Sequence, residues 1–146
     1  MSIANSGSVG RGKTMNTKQV IIIRKDLNMR KGKMVAQGAH ASMKAILSQG
    51  WYDLTNPVGQ NEFHLTMTPE VEDWLNGIFT KICVSVDSEA ELLTLYNMAY
   101  NMDLPCSLIE DVGKTEFKGV ATHTAVAIGP ANAEVVDTIT GHLKLL

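Results

Sequence analysis

Five side chains in this 146-residue chain have types that could cleave a bond together: Lys33, His40, Asp111, Thr115 and Thr124. A carboxylate, an ammonium, an imidazole and two hydroxyls can hold water and stabilise an oxyanion. They do not form a metal cage. Hydrolysis without a metal or other cofactor is the reaction class they suggest. There is no GxSxG, HExxH or P-loop, and no GxGxxG after the first strand-like run, which argues against serine-nucleophile, zinc-protease and dinucleotide chemistry. Each residue also has a plainer reading. Asp111 before Val112 and Gly113 can close a turn, Lys33 can be a solvated helix residue and His40 a packing residue. Thr115 and Thr124 can be ordinary β-branched positions.

An α/β fold would gather such residues at the carboxyl edge of its sheet. The organising stretch is Val20 to Leu47. Val20 to Ile23 are β-branched without polar alternation, as in a central strand covered on both faces. Arg24, Lys25, Arg30, Lys31 and Lys33 then cluster around Gly32, where a helix begins. A helix N-terminus presents unpaired N–H groups and a positive dipole end, so this turn reads as a phosphate site. The helix pattern places Val35, Ala39, Ser42 or Met43, and Ile46 on an inward face. Lys33, Gln37, His40 and Lys44 fall on the opposite, chemical face.

Residues 1–17 read as a disordered lead-in and 18–146 as a single domain. Gly50 to Thr68 reads as a long irregular connection. Thr68 and Pro69 start a short helix anchored by Trp74 and ended by Gly77. Lys81 to Val86 is a second strand. Ser88 with Glu91 is a capping box for a helix to about Asn101, with Leu92, Leu95 or Tyr96, and Ala99 inward and Met98 and Met102 filling core. Pro105 to Glu110 and Thr122 to Gly129 are the third and fourth strands, and Pro130 opens a last helix stopped by Gly141. The predicted fold is a three-layer α/β/α sandwich around a four-stranded mixed sheet.

The net charge of -2 conceals an asymmetry: residues 1–44 carry nine Lys or Arg against Asp26 alone, and residues 45–146 carry four against fourteen acidic groups. A basic segment on an acidic body orients a polyanion onto one face. No apolar run reaches membrane-span length and no signal-type h-region opens the chain, which predicts a cytoplasmic protein. Cys83 and Cys106 sit in apolar runs and read as buried free thiols.

RKDLNMRKGKMVAQGAHAS (Arg24 to Ser42) resembles the opening motif of the type II peptidyl-tRNA hydrolases. WLNGIFTKICVSVDSEAEL, IEDVGKTEF and AIGPANAEVVDTITGHLKLL are similar to the second-strand, Asp-x-Gly-x-Thr and C-terminal motifs of that family, in the same order. The resemblance implies cleavage of the ester between a peptide and the 3′ ribose of tRNA, recycling tRNA from abortive translation. It aligns Lys33, Asp111, Thr115, Thr124 and His40 with functional positions, taking Thr124 rather than Thr122 although Phe117 to Ala121 departs from the family turn. It supplies tRNA as the partner of Arg24, Lys25, Arg30, Lys31, Gln37 and Lys44, and makes a homodimer plausible. The alternative is a non-catalytic RNA-binding module on the same fold, for which Asp111 would be an unhelpful charge.

Overall fold

The computed structural model describes residues 15–113 and 117–146. Strand β1 (Thr17–Arg24) begins inside the expected lead-in, and Val20 to Ile23 are buried as a doubly covered strand requires. A 3₁₀ turn at Lys25–Leu27 and a left-handed Asn28 follow. Met29 then buries beside Ile21 and Ile23, so the basic turn is anchored to the core. Helix α1 (Lys31–Leu47) leads to a hairpin of β2 (Gly50–Asp53) and β3 (Glu62–Leu65), then to α2 (Pro69–Asn76) and β4 (Lys81–Val86). Next come α3 (Glu89–Asn101), β5 (Cys106–Asp111), β6 (Thr122–Asn132), α4 (Ala133–Thr140) and β7 (Lys144–Leu145).

The main sheet is mixed, as predicted, but has five strands in the order β5-β6-β1-β4-β7 rather than four. β1 runs parallel to β4 and antiparallel to β6, which is antiparallel to β5. The extra strand is the C-terminal Lys144–Leu145, paired antiparallel with β4 and too short to show a period in sequence. One face of the sheet meets α1 through Ile21, Ile23, Ala125, Ala127 and Ile109. The other packs Val20, Ile22, Val84, Val86, Val126 and Ile128 against Leu92, Leu95 and Ala99 of α3 and Val136 and Ile139 of α4. Alternation along β1 thus divides its side chains between two cores.

The helix caps follow the sequence. The Thr68 and Ser88 hydroxyls accept from the N–H groups of Val71 and Glu91 at 3.2 and 3.1 Å, and Trp74 is fully buried. Four expectations need correction. Gly50 to Thr68 holds the β2–β3 hairpin instead of being irregular throughout. Pro130 lies within β6, and the last helix starts at Ala133, capped by Asn132. Met98 and Met102 are exposed, since Ala99 and Leu95 supply the inward stripe. Cys83 is exposed, because α1 lies over β5, β6 and β1 and leaves β4 open on that face, and Cys106 is half-buried on β5 against the core of the opposite face. Both thiols are free, and burial raises the Cys106 pKa.

The contact face of α1 is also rotated from the expected one. Gln37, Gly38, Ala41 and Ala45 are buried, while Val35 is 72% exposed. Small residues bring the helix close to the strands, and a Cβ on Gly38 would already lie 3.5 Å from Ile21. Ala41→Leu should therefore overpack this interface, costing about 1–3 kcal/mol and lowering Tm by several degrees. The same change at exposed Ala36, Ala36→Leu, should leave the melting curve unchanged, and thermal denaturation of the two variants checks the assignment of faces.

Candidate active site

β5 runs parallel to β1 because each is antiparallel to β6. The C-terminal ends of β1 and β5 and the N-terminal end of β6 therefore share one edge of the sheet, from which α1 departs. Asp111 ends β5 and Lys33 lies in the first turn of α1, so residues 78 apart in sequence meet: Lys33 Nζ donates to Asp111 Oδ1 at 2.9 Å. Their side chains are 12% and 14% exposed, and Lys33 Nζ also lies 5.7 Å from the centre of the Phe117 ring.

The second Asp111 oxygen accepts from the Gly113 N–H at 2.9 Å. The turn-closing and charge-pairing readings of Asp111 are both realised, one on each oxygen. Gly113 has φ +86°, and a Cβ there would sit 2.4 Å from the Val120 carbonyl oxygen, so only glycine fits without strain. The hydrogen bond from Lys33 is the main cause that holds the Asp111 carboxyl below its ordinary range. Desolvation opposes it, while the Gly113 N–H and the charges of Lys33 and His40 add to the lowering.

Thr124, at the start of β6, is fully buried, and its hydroxyl donates to Gln37 Oε1 through a short hydrogen bond. Gln37 was expected on the exposed tRNA-facing stripe. It is 2% exposed instead, because the helix turns that side inward one turn beyond Lys33. No spacing in the sequence pairs it with Thr124, 87 residues away. His40 and Lys44 lie on the exposed flank of α1. Thr115 lies outside the described residues.

Among the expected tRNA contacts, Lys25, Arg30, Lys31 and Lys44 are exposed. Arg24 is held within the fold: it forks onto Asp26 at 3.1 and 2.6 Å and donates to the His123 carbonyl at 3.1 Å. The His123 ring bonds Glu89 of α3 at 3.0 Å. The first turn of α1 contains no acidic residue of its own and Arg30 offers no side-chain cap, so the carboxylate that reaches this helix end is Asp111, through Lys33. Asp53, Glu62 and His64, on the β2–β3 hairpin, are the one trio among the described residues whose ligand atoms come within metal-sharing distance.

The profile of the family described as Peptidyl-tRNA hydrolase PTH2 matches residues 17–146. This chain belongs to that family. A protein named peptidyl-tRNA hydrolase from Methanocaldococcus jannaschii is 46% identical over 129 residues, covering 88% of this chain and 99% of its own length. Proteins of the same name from Sulfurisphaera tokodaii and Saccharolobus solfataricus are 41% and 40% identical, covering 90% and 88% of this chain and 100% and 98% of their own lengths. The PTH2 match spans the whole described fold from β1 onward, and it agrees with the resemblance drawn from the motifs.

The lowered pKa of Asp111 has a definite sign. Its pairing stabilises the fold above the ordinary carboxylate pKa, and that contribution disappears as pH falls through the folded value. Carbon-detected NMR titration should give Asp111 a midpoint below about 3.9. In Lys33→Met the midpoint should rise toward or past that value, and a midpoint unmoved by the substitution would show that Lys33 does not set it.

Proposed function

We propose that this chain hydrolyses the ester between a peptide and the 3′ ribose of tRNA, without a metal, in the cytoplasm. The observation that carries the reading is the Lys33–Asp111 pair, set at the sheet edge beside a helix terminus crowded with cations. The relatives named as hydrolases over nearly the whole chain favour catalysis over a non-catalytic RNA-binding module. A bare phosphate-binding edge would also be weakened by the Asp111 charge.

In this mechanism Asp111 accepts a hydrogen bond from the attacking water. A carboxylate with a depressed pKa is a weak base, so its first task is orientation. As the water oxygen bonds to the acyl carbon, its proton passes to Asp111 and then to the departing ribose 3′ oxygen, while the ester C–O bond breaks. Lys33 supplies the positive charge for the tetrahedral oxyanion, the part a metal would otherwise play. Thr115 is assigned as a second donor, whereas Thr124, with its hydrogen committed to Gln37, fixes the floor of the site. His40, on the exposed flank of α1, is assigned to the substrate-facing side of the site.

Arg30, Lys31 and Lys25, with Lys44 further along α1, hold tRNA phosphates, and Arg24 braces the turn they stand on. The homodimer contact is assigned to an apolar groove of about 780 Å³ on the opposite flank of α1, where Val35, Met43, Phe79 and Leu146 are exposed.

Peptide release from peptidyl-tRNA with chelator present tests the chemistry. Wild type should cleave, and Asp111→Asn should lose about 10²-fold or more in kcat while retaining deacylated tRNA. Unchanged turnover in Asp111→Asn would remove that residue from the mechanism. Lys31→Ala should raise KM several-fold with kcat nearly unchanged, and the difference should shrink as salt rises. A loss confined to kcat would contradict a phosphate contact.

A further inference from the structure

A second hollow adjoins the Lys33–Asp111 pair. On the β5 side of α1 a groove of about 550 Å³ is lined by His40, Met43 and Leu47 of the helix, Tyr52 of the hairpin, and Ile109 and Glu110 of β5. Neither Lys33 nor Asp111 lines it, and it meets the site through Ile109 and Glu110, which lead into Asp111 along β5. Glu110 immediately precedes Asp111 in β5, and His40 lies close enough for its charge to act on the Asp111 carboxyl.

The ester in the proposed reaction divides its substrate into unlike halves. On one side is a polyanion, and on the other a chain of neutral peptide groups with varied side chains. The cations Lys25, Arg30 and Lys31 all precede Lys33, at the N-terminal end of α1. The groove lies the other way, from His40 toward the helix C-terminus at Leu47. From Lys33 to Leu47 the helix rises about 21 Å, the length of about six extended residues. The wall is mainly apolar: Met43, Leu47, Tyr52 and Ile109 stand beside the charged Lys44 and Glu110, and the Glu110 carboxylate lies 3.7 Å from His123 Nε2. β5 is an edge strand, paired in the sheet with β6 alone, so its outer N–H and C=O groups have no strand partner. Main-chain pairing with an extended segment is a general use of such an edge.

We propose that this groove holds the peptidyl part of the substrate, as an extended segment whose apolar side chains pack against Leu47, Tyr52 and Ile109. The assignment rests on the hydrolase reading above. It makes the enzyme sensitive to peptide length and hydrophobicity through Leu47, Tyr52 and Ile109, none of which is a cation assigned to tRNA.

The test compares two substrates on one tRNA with the same esterified residue: an N-acetylated single aminoacyl-tRNA and an apolar pentapeptidyl-tRNA. Wild type should show a KM about tenfold lower for the longer substrate, the worth of one well-buried apolar side chain. Tyr52→Ala, at a side chain already 63% exposed, and Leu47→Asn should each erase that preference. Cleavage of the short substrate should change less than twofold, which also shows that the variants fold, and deacylated tRNA should bind as before. A wild type indifferent to peptide length, or variants that impair both substrates equally, would overturn the assignment. Weakened binding of deacylated tRNA would reassign the groove to the 3′ nucleotides. If wild type cleaved neither substrate, the hydrolase reading itself would fall and this proposal with it.

Discussion

The 2.9 Å contact between Lys33 and Asp111 is the constraint around which the fold is arranged. Neither group is deeply buried, yet both are mostly withdrawn from water, so each would be poorly placed without the other. Their meeting depends on strand order. Because β6 lies between β1 and β5 and opposes both, the ends of β1 and β5 point the same way. Reversing β5 would carry Asp111 to the far edge of the sheet. The sheet topology thereby sets the chemistry before any side chain is chosen.

The pair also decides what kind of catalyst this edge can be. A strong general base needs a carboxyl with a raised pKa, but the hydrogen bond from Lys33 acts in the opposite direction. In the proposed reaction Asp111 would therefore orient the water first and take its proton only as the new bond to the acyl carbon forms. The cations of the neighbouring turn reinforce that choice. Under the proposed reading they would attract a polyanion and also favour the negative charge that develops on an attacked carbonyl.

Much of this arrangement was legible in the sequence, and the failures share a physical cause. The four apolar runs and the helix starts at Thr68 and Ser88 depend on local composition and lie where the sequence predicts, whereas the start predicted at Pro130 falls inside β6. The pairing of Lys33 with the Asp111 turn as parts of one edge was legible too. The face of α1 was misread because hydrophobicity favoured Val35 and Ile46, whereas closeness of approach favours Gly38, Ala41 and Ala45. Gln37 was sent to solvent for its polarity, although its partner Thr124 waits on another strand. The short β7 and the hairpin strands likewise exist through pairing, which a one-dimensional pattern does not display.

The same close approach explains why the functional face is open. Five strands at about 4.8 Å spacing span about 19 Å, whereas a helix with its side chains is about 10 Å across. On the α3 and α4 face, two helices cover that width. On the other face α1 lies over β5, β6 and β1, the short α2 also packs on β6 and β1, and a hollow is left on either flank of α1. A further helix over the β5 flank would bury more apolar surface, but it would also close the groove lined by Tyr52 and Ile109. One helix set close to the sheet by small residues provides a rigid mount for Lys33 while leaving the space beside it free.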